Sequence, residues 1–246
     1  MSEEDFVDSK IKQELTLAPY FKHCELLNTH GPPILSSGVA PQELDIASFE
    51  NFLSDPDNYA LDTRPPKEFL KQNIPKTISM SLGNMGLIVG WAFRPHNNFS
   101  LILGDHRDLG LAWSYLVRVG FDNIIGVLKN GITGWVEGGR ATNTIKSISI
   151  DTLRTEVDKG TLQILDVREP HEFKLEHIKG SISSPLTQLM DTVSSMNITA
   201  PLATLCPSGF RSSTAASILI KNGITDVAVL LEGFKGWKAR GLPTED

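Results

Sequence analysis

The chain is 246 residues long, which allows one or two domains. Hydrophobic residues make up 40% and charged residues 21%, ordinary globular usage that excludes disordered and fibrous classes. The formal charge of −6 has the wrong sign for holding phosphate backbones, so no nucleic-acid partner is expected.

Residues 1–41 read as an N-terminal arm. The opening Met1-Ser2-Glu3-Glu4-Asp5 is acidic where a secretory signal is basic and then apolar, and no apolar run approaches the ~18 residues needed to span a bilayer. The expectation is a cytoplasmic chain with no membrane partner. Phe6–Leu17 predicts a helix, and the Gly- and Pro-rich stretch Thr29–Pro41 predicts an extended linker. Cys24 lies in the arm without a partner motif and reads as an incidental thiol. With Cys206 it makes two cysteines, too few for a disulfide framework. No Cys/His cluster is present, so neither a metal nor a cofactor is expected.

Beyond the arm the chain repeats itself. Leu61-Asp62-Thr63-Arg64 returns as Leu165-Asp166-Val167-Arg168, a shift of 104, which also carries Glu68-Phe69 onto Glu172-Phe173 and Ile78 onto Ile182. Gly131 and Trp135 match Gly233 and Trp237 at a shift of 102. Two copies of one domain are expected, at 42–143 and 144–246. Trp135 and Trp237 hold equivalent places and read as core.

In the first copy Phe99–Leu103 predicts a buried strand. In the second, strands are predicted at Ile148–Ile150, Leu162–Val167, Leu202–Leu205 and Val227–Leu230, with Ser181–Ser184 an extended piece leading to Pro185. Helices are predicted at Asp151–Lys159, Glu169–Glu176, Leu186–Met196 and Ser212–Asn222, with a last one after Gly233. This alternation implies an α/β fold, each copy a mostly parallel, doubly wound sheet flanked by helices. Ligands of such sheets sit beyond the carboxyl ends of the strands.

The chemistry concentrates in Cys206-Pro207-Ser208-Gly209-Phe210-Arg211-Ser212. A buried strand ends at Leu205 and a helix follows within a handful of residues, so the loop must curl tightly. Gly209 permits backbone conformations closed to other residues, and successive amides can then converge on one spot at a helix N-terminus. The helix terminus and Arg211 favour a Cys206 thiolate, a nucleophile with its own anion hole.

Asp166-Val167-Arg168-Glu169-Pro170-x-Glu172-Phe173-x-x-x-His177-Ile178-x-Gly180-Ser181-Ile182 resembles the signature of rhodanese-like domains. The Cys206 loop resembles their active-site loop, and Leu231-Glu232-Gly233-Phe234-x-Gly236-Trp237 resembles their closing segment. The resemblance implies a sulfurtransferase. Cys206 would take sulfane sulfur from thiosulfate or a low-molecular-weight persulfide, hold it as a persulfide, and pass it to a thiol-, cyanide- or sulfite-type acceptor. Pro207 has no N–H, which leaves the amides of Ser208, Gly209, Phe210, Arg211 and Ser212 as substrate-binding donors. Phe210 is expected at the cleft mouth, favouring an organic donor. The C-x4-R spacing is shorter than the C-x5-R of phosphatases on related folds. A phosphatase or arsenate reductase remains an alternative, as does a non-turnover sulfur carrier or interaction module.

The first copy has no cysteine after its strand. Gly104-Asp105-His106-Arg107-Asp108 stands there instead, and its carboxylates oppose a thiolate. Asp105, His106 and Asp108 leave an acid or metal site as an alternative, but an inactive structural partner is expected. The signature has also changed there, with Asn73 and Lys76 in the places of His177 and Gly180. Because both copies keep Asp-x-Arg, Asp166 and Arg168 are expected to support the fold rather than bind substrate. Finally, Tyr20-Phe21…Asn28…Gly31-Pro32-Pro33 resembles the tail joining metallo-β-lactamase-fold sulfur enzymes to fused rhodanese domains, which implies either the rhodanese portion of such a fusion or a chain that works beside a separate partner of that fold.

Overall fold

A computed structural model of the chain describes residues 1–12, 17–32, 41–198 and 200–246. The first helix, α1 (Glu3–Ile11), begins earlier than the apolar pattern predicts because Ser2 and Asp5 close a capping box. The Asp5 amide donates to Ser2 Oγ at 3.1 Å, and the Ser2 amide returns to the Asp5 carboxylate at 3.2 Å. The second helix, α2 (Phe21–His30), docks the arm on the first repeat, with Tyr20 packed directly on Gly90 and His23 on Gly120. Residues 13–16 and 33–40, with the end of the expected first helix, Pro33 and most of the expected linker, lie outside the described residues.

The first repeat runs β1 (Gln42–Leu44), α3 (Ile46–Ser54), β2 (Asn58–Asp62), α4 (Pro66–Lys71), β3 (Ile78–Ser79), α5 (Leu82–Ala92), β4 (Asn98–Ile102), α6 (Leu109–Val117), β5 (Ile124–Leu128) and α7 (Gly131–Glu137). The second runs β6 (Lys146–Ser147), α8 (Ile150–Asp158), β7 (Gln163–Asp166), α9 (Pro170–Leu175), β8 (Ile182–Ser183), α10 (Leu186–Thr192), β9 (Leu202–Leu205), α11 (Phe210–Lys221), β10 (Val227–Val229) and α12 (Gly233–Ala239). Strand orders are β1-β5-β4-β2-β3 and β6-β10-β9-β7-β8, parallel throughout. These are two α/β domains of one topology.

Two predicted elements move, each for a local reason. The strand expected at Ile148–Ile150 lies at Lys146–Ser147, because Ser149 Oγ accepts from the Thr152 amide at 3.2 Å and hands Ile150 to α8. The helix expected from Ser212 starts at Phe210, because Gly209 turns the chain at φ +83° as its N-cap.

In each sheet the chain leaves the second strand in one direction and returns on its other side. That switch lies between β7 and β9 in the second domain, and it opens a crevice at their carboxyl ends.

The domains share a core. Met85, Val89 and Phe93 of the first cluster with Leu186, Leu189 and Ala216 of the second. Helix α11 is buried continuously from Ser212 to Leu219, since it lies on β9 and β10 while also covering edge strand β3. Its hydroxyls satisfy that edge. The Ser79 amide donates to Ser217 Oγ (3.1 Å), Thr214 Oγ1 donates to the Ser79 carbonyl (2.7 Å), and Ser213 Oγ donates to Ser79 Oγ (2.8 Å).

Candidate functional site

Cys206 is the residue immediately after central strand β9, and it is 1% exposed. Its loop is clamped from behind by the start of α12. The Phe234 amide donates to the Cys206 carbonyl at 2.8 Å and the Lys235 amide to the Pro207 carbonyl at 3.1 Å. Gly233 makes this approach possible, because a Cβ there would sit 2.5 Å from both carbonyl oxygens. All described peptides are trans, so the Ser208 N–H points opposite to the Pro207 carbonyl and away from the clamp. Gly209, packed with no room for a Cβ against the Leu231 carbonyl (2.7 Å), then turns the chain into α11.

Ser208, Gly209, Phe210, Arg211 and Ser212 accordingly lie on one tight strand-to-helix turn. Among the described residues none of their amides donates to a protein acceptor, and α11 has no side-chain cap. A helix start with unpartnered amides just after a cysteine is an arrangement that can bind an anion. Phe210 is half-buried and packs against the core shared by the domains.

Across the β7–β9 crevice Arg211 meets groups that sequence reasoning did not single out. Arg211 donates to both oxygens of Glu172, at 2.6 and 2.9 Å, while the Trp91 ring of the first domain lies 5.2 Å from its guanidinium. Burial opposes the Arg211 charge, but Glu172 first, then Cys206 and Glu169, push its pKa up. Burial likewise acts to raise Glu172, and the Arg211 and Glu169-amide hydrogen bonds overcome it, leaving the carboxyl below its usual range. Glu169 is 5% exposed and accepts from Thr187 Oγ1 at 3.1 and 3.2 Å; burial pushes its pKa up. The signal was present in the repeat, since Glu172 returns at Glu68, but only the crevice shows which side chains meet. Arg211 is therefore a paired cation rather than a free one beside Cys206.

Asp166 and Arg168 form a buried bidentate pair, with Nη2 to Oδ2 at 2.6 Å, and Arg168 also donates to the Glu176 carbonyl at 2.9 Å. Asp62 and Arg64 repeat this geometry in the domain without the cysteine, down to the Gln72 carbonyl at 2.8 Å. The pair braces the turn after β7, as its counterpart braces the turn after β2. Trp135 and Trp237 are buried, each indole N–H donating to a chain carbonyl.

The first domain keeps more of the frame than its altered letters imply. Asn73 Nδ2 donates to the Phe69 carbonyl at 3.0 Å, the contact that His177 Nδ1 makes with the Phe173 carbonyl at 3.0 Å. Lys76 holds φ +67° where Gly180 holds φ +76°. Pairing of Asp62 with Ile102 and of Asp166 with Leu205 makes Leu103 the counterpart of Cys206. Asp105 caps the following 3-10 turn, accepting from the Arg107 amide at 2.9 Å and from the Arg107 guanidinium. No cluster of three His, Cys, Asp or Glu side chains able to hold a metal occurs among the described residues. No helix among them is long and apolar enough to cross a membrane.

The rhodanese-like domain family model matches residues 45–138 and 149–240. An uncharacterized protein of Bacillus subtilis, YqhL, is 41% identical over 93 residues, covering 38% of this chain and 72% of that protein. The thiosulfate sulfurtransferase GlpE of Pseudomonas aeruginosa is 31% identical over 98 residues, covering 40% and 88%. Among solved structures, a rhodanese-related protein of Thermoplasma volcanium is 27% identical, with coverage of 41% and 97% and a TM-score of 0.38. A thiosulfate sulfurtransferase of Pseudomonas aeruginosa aligns over 83% of this chain and 43% of its own at 20% identity, TM-score 0.38. With both halves matched and each carrying the same five-stranded parallel sheet, the chain belongs to the rhodanese-like family as a tandem of two such domains.

Proposed function

We propose that the second domain transfers sulfane sulfur through a Cys206 persulfide, and that the first is its catalytically silent partner. The observation that carries this reading is the run of unpartnered amides from Ser208 to Ser212 on the turn that follows a cysteine at the end of the central strand. The Cys206 thiolate attacks the outer sulfur of thiosulfate or of a low-molecular-weight persulfide. A Cys206 Sγ–S bond forms, the donor's S–S bond breaks, and its electron pair leaves with sulfite or the donor thiolate. A nucleophilic acceptor such as a thiol or cyanide then attacks the terminal sulfur, and Cys206 leaves as thiolate. Convergent N–H groups stabilise the negative sulfur that each step presents to them.

The pairing of Arg211 with Glu172 weighs against phosphoryl transfer, because a phosphate would have to compete with a carboxylate that already holds the guanidinium through Nη1 and Nη2. The test is intact-protein mass after incubation with thiosulfate or glutathione persulfide, followed by multiple-turnover assays with cyanide or a thiol. Wild type is expected to gain one sulfur and turn over; Cys206→Ser is expected to do neither. Loading of one equivalent with no turnover at any acceptor overturns the transferase reading in favour of a carrier. Phosphate release from an aryl phosphate, dependent on Cys206, overturns it in favour of a phosphatase.

A further inference from the structure

Within the described residues, Ser212 Oγ is the one buried side-chain polar atom with no hydrogen-bond partner. Ser212 is 0% exposed. A buried hydroxyl without a partner is costly, and native proteins rarely keep one without a use. Its neighbours are all committed. Ser213, Thr214 and Ser217 hydroxyls serve the Ser79 edge or the helix itself, and Thr204 Oγ1 donates to the Ser212 carbonyl at 3.0 Å, leaving the Ser212 hydroxyl untouched.

Its direction follows from the helix. Ser213, Thr214 and Ser217 occupy the face of α11 turned to the first domain. Ser212 is one residue back, ~100° around, and shares its stripe with Ala215, Ala216 and Leu219. Those residues belong to the buried cluster shared by the two domains, which also includes Cys206. Ser212 is also in the first turn of α11, at the end next to the Cys206 loop.

We propose that Ser212 Oγ is a sulfur-binding group, which donates its hydrogen bond to the terminal sulfur of the Cys206 persulfide and is unpartnered only when no sulfur is held. No bond joins Ser212 Oγ to Cys206 Sγ in the unloaded site. The transferred sulfur extends the side chain by one S–S length, about 2.05 Å, toward the amides. The terminal sulfur of a persulfide anion carries the charge and accepts hydrogen bonds, so a buried O–H beside it strengthens holding of the cargo. The inference rests on the persulfide reading of Cys206 and adds to it a donor that the backbone ring does not supply.

The variant Ser212→Ala tests it with two readouts. Removing an unpartnered hydroxyl is expected to leave the melting temperature of the unloaded protein unchanged or raised. The equilibrium fraction of Cys206 persulfide, titrated against a thiol/persulfide couple and read by intact mass, is expected to shift about ten-fold toward release, equivalent to about 1.4 kcal/mol. The extra thermal stability that wild type gains on loading is expected to shrink accordingly. Ser213→Ala, which removes a hydroxyl already bonded to Ser79, is the control: it is expected to lower the melting temperature and leave the persulfide fraction unchanged. A Ser212→Ala protein that holds sulfur as tightly as wild type overturns the role of the hydroxyl and leaves the Cys206 persulfide standing. A melting temperature that falls in the unloaded variant shows that the hydroxyl has a structural partner, and overturns it as well. A wild-type protein that takes up no sulfur removes both.

Discussion

The loop after β4 and the loop after β9 leave identical positions in equivalent sheets, and they diverge within three residues. After Leu103 the chain passes through Gly104 to Asp105, whose φ of −133° any residue adopts, and whose carboxylate takes the Arg107 amide for itself. After Cys206 it passes through Pro207 and Ser208 to Gly209 at φ +83°, where no side chain caps the helix. In the first domain the Asp105 carboxylate accepts from the turn's own Arg107 amide; in the second the amides at the start of α11 have no protein acceptor among the described residues. Changing the sulfur position to leucine is therefore only half the difference. The first loop also supplies a carboxylate of its own to the amides that an anion would need. Below the loops both domains keep the strand order, the Asp-x-Arg brace and the glycine, Gly131 or Gly233, that lets the following helix press on the carbonyl after the strand.

Moving the nucleophile puts the largest effect on this comparison. In a Cys206→Ser/Leu103→Cys double variant the thiol sits at the equivalent strand end but lacks the open amide ring. Turnover is expected to stay at the Cys206→Ser level, roughly 10⁴-fold or more below wild type, in a cyanide-acceptor assay. Recovery of activity would show that the cysteine alone separates the two domains.

Gly209→Ala is next. Alanine at φ +83°, with its Cβ 2.7 Å from the Leu231 carbonyl oxygen, is expected to cost roughly 1–3 kcal/mol in urea unfolding and to lower kcat by misdirecting the ring. The same substitution tried at Asp105 meets no such barrier, since that residue is not in the left-handed region.

A smaller effect belongs to Glu172→Gln, which removes the charge that pairs Arg211 and is expected to lower stability at pH 7 by about 1 kcal/mol. Glu172 has a folded pKa below its ordinary 4.5, so its contribution is present above pH 4.5 and is lost as the pH falls through the folded value. The variant is expected to lose that part of the acid limb in melting temperatures taken between pH 6 and pH 3.

The smallest is Asp105→Asn. Hydrogen bonds from the Arg107 side chain, then its amide, hold the Asp105 carboxyl at about 2 against an ordinary 3.8. Its contribution is complete above pH 3.8 and fades as the pH approaches 2, so wild type and variant are expected to converge there and differ slightly at pH 5 and above.

Much of this was legible in the chain. The recurrence of Leu-Asp-x-Arg and of Gly and Trp at nearly constant spacing gave two domains, because packed positions of a repeated fold demand the same side chains twice. Cys206 and Gly209 stood out because a short strand-to-helix turn has few residues with which to curl. Element ends were less visible: Ile150 belongs to a helix through the Ser149 cap, and Phe210 through the turn at Gly209.

Residue identity and spacing by themselves determined the doubled α/β architecture, the place of Cys206 after the central strand and the lack of a matching cysteine in the first copy, since these depend on local pattern and on which residues one loop carries. Tertiary structure alone decided that Arg211 is spoken for by Glu172 and faced by Trp91, that Ser79 of one domain ties down α11 of the other, and that Ser212 keeps a free hydroxyl. Those contacts join residues tens to more than a hundred positions apart. Their distances are set by how two sheets and a shared helix pack, which no stretch of the chain encodes locally.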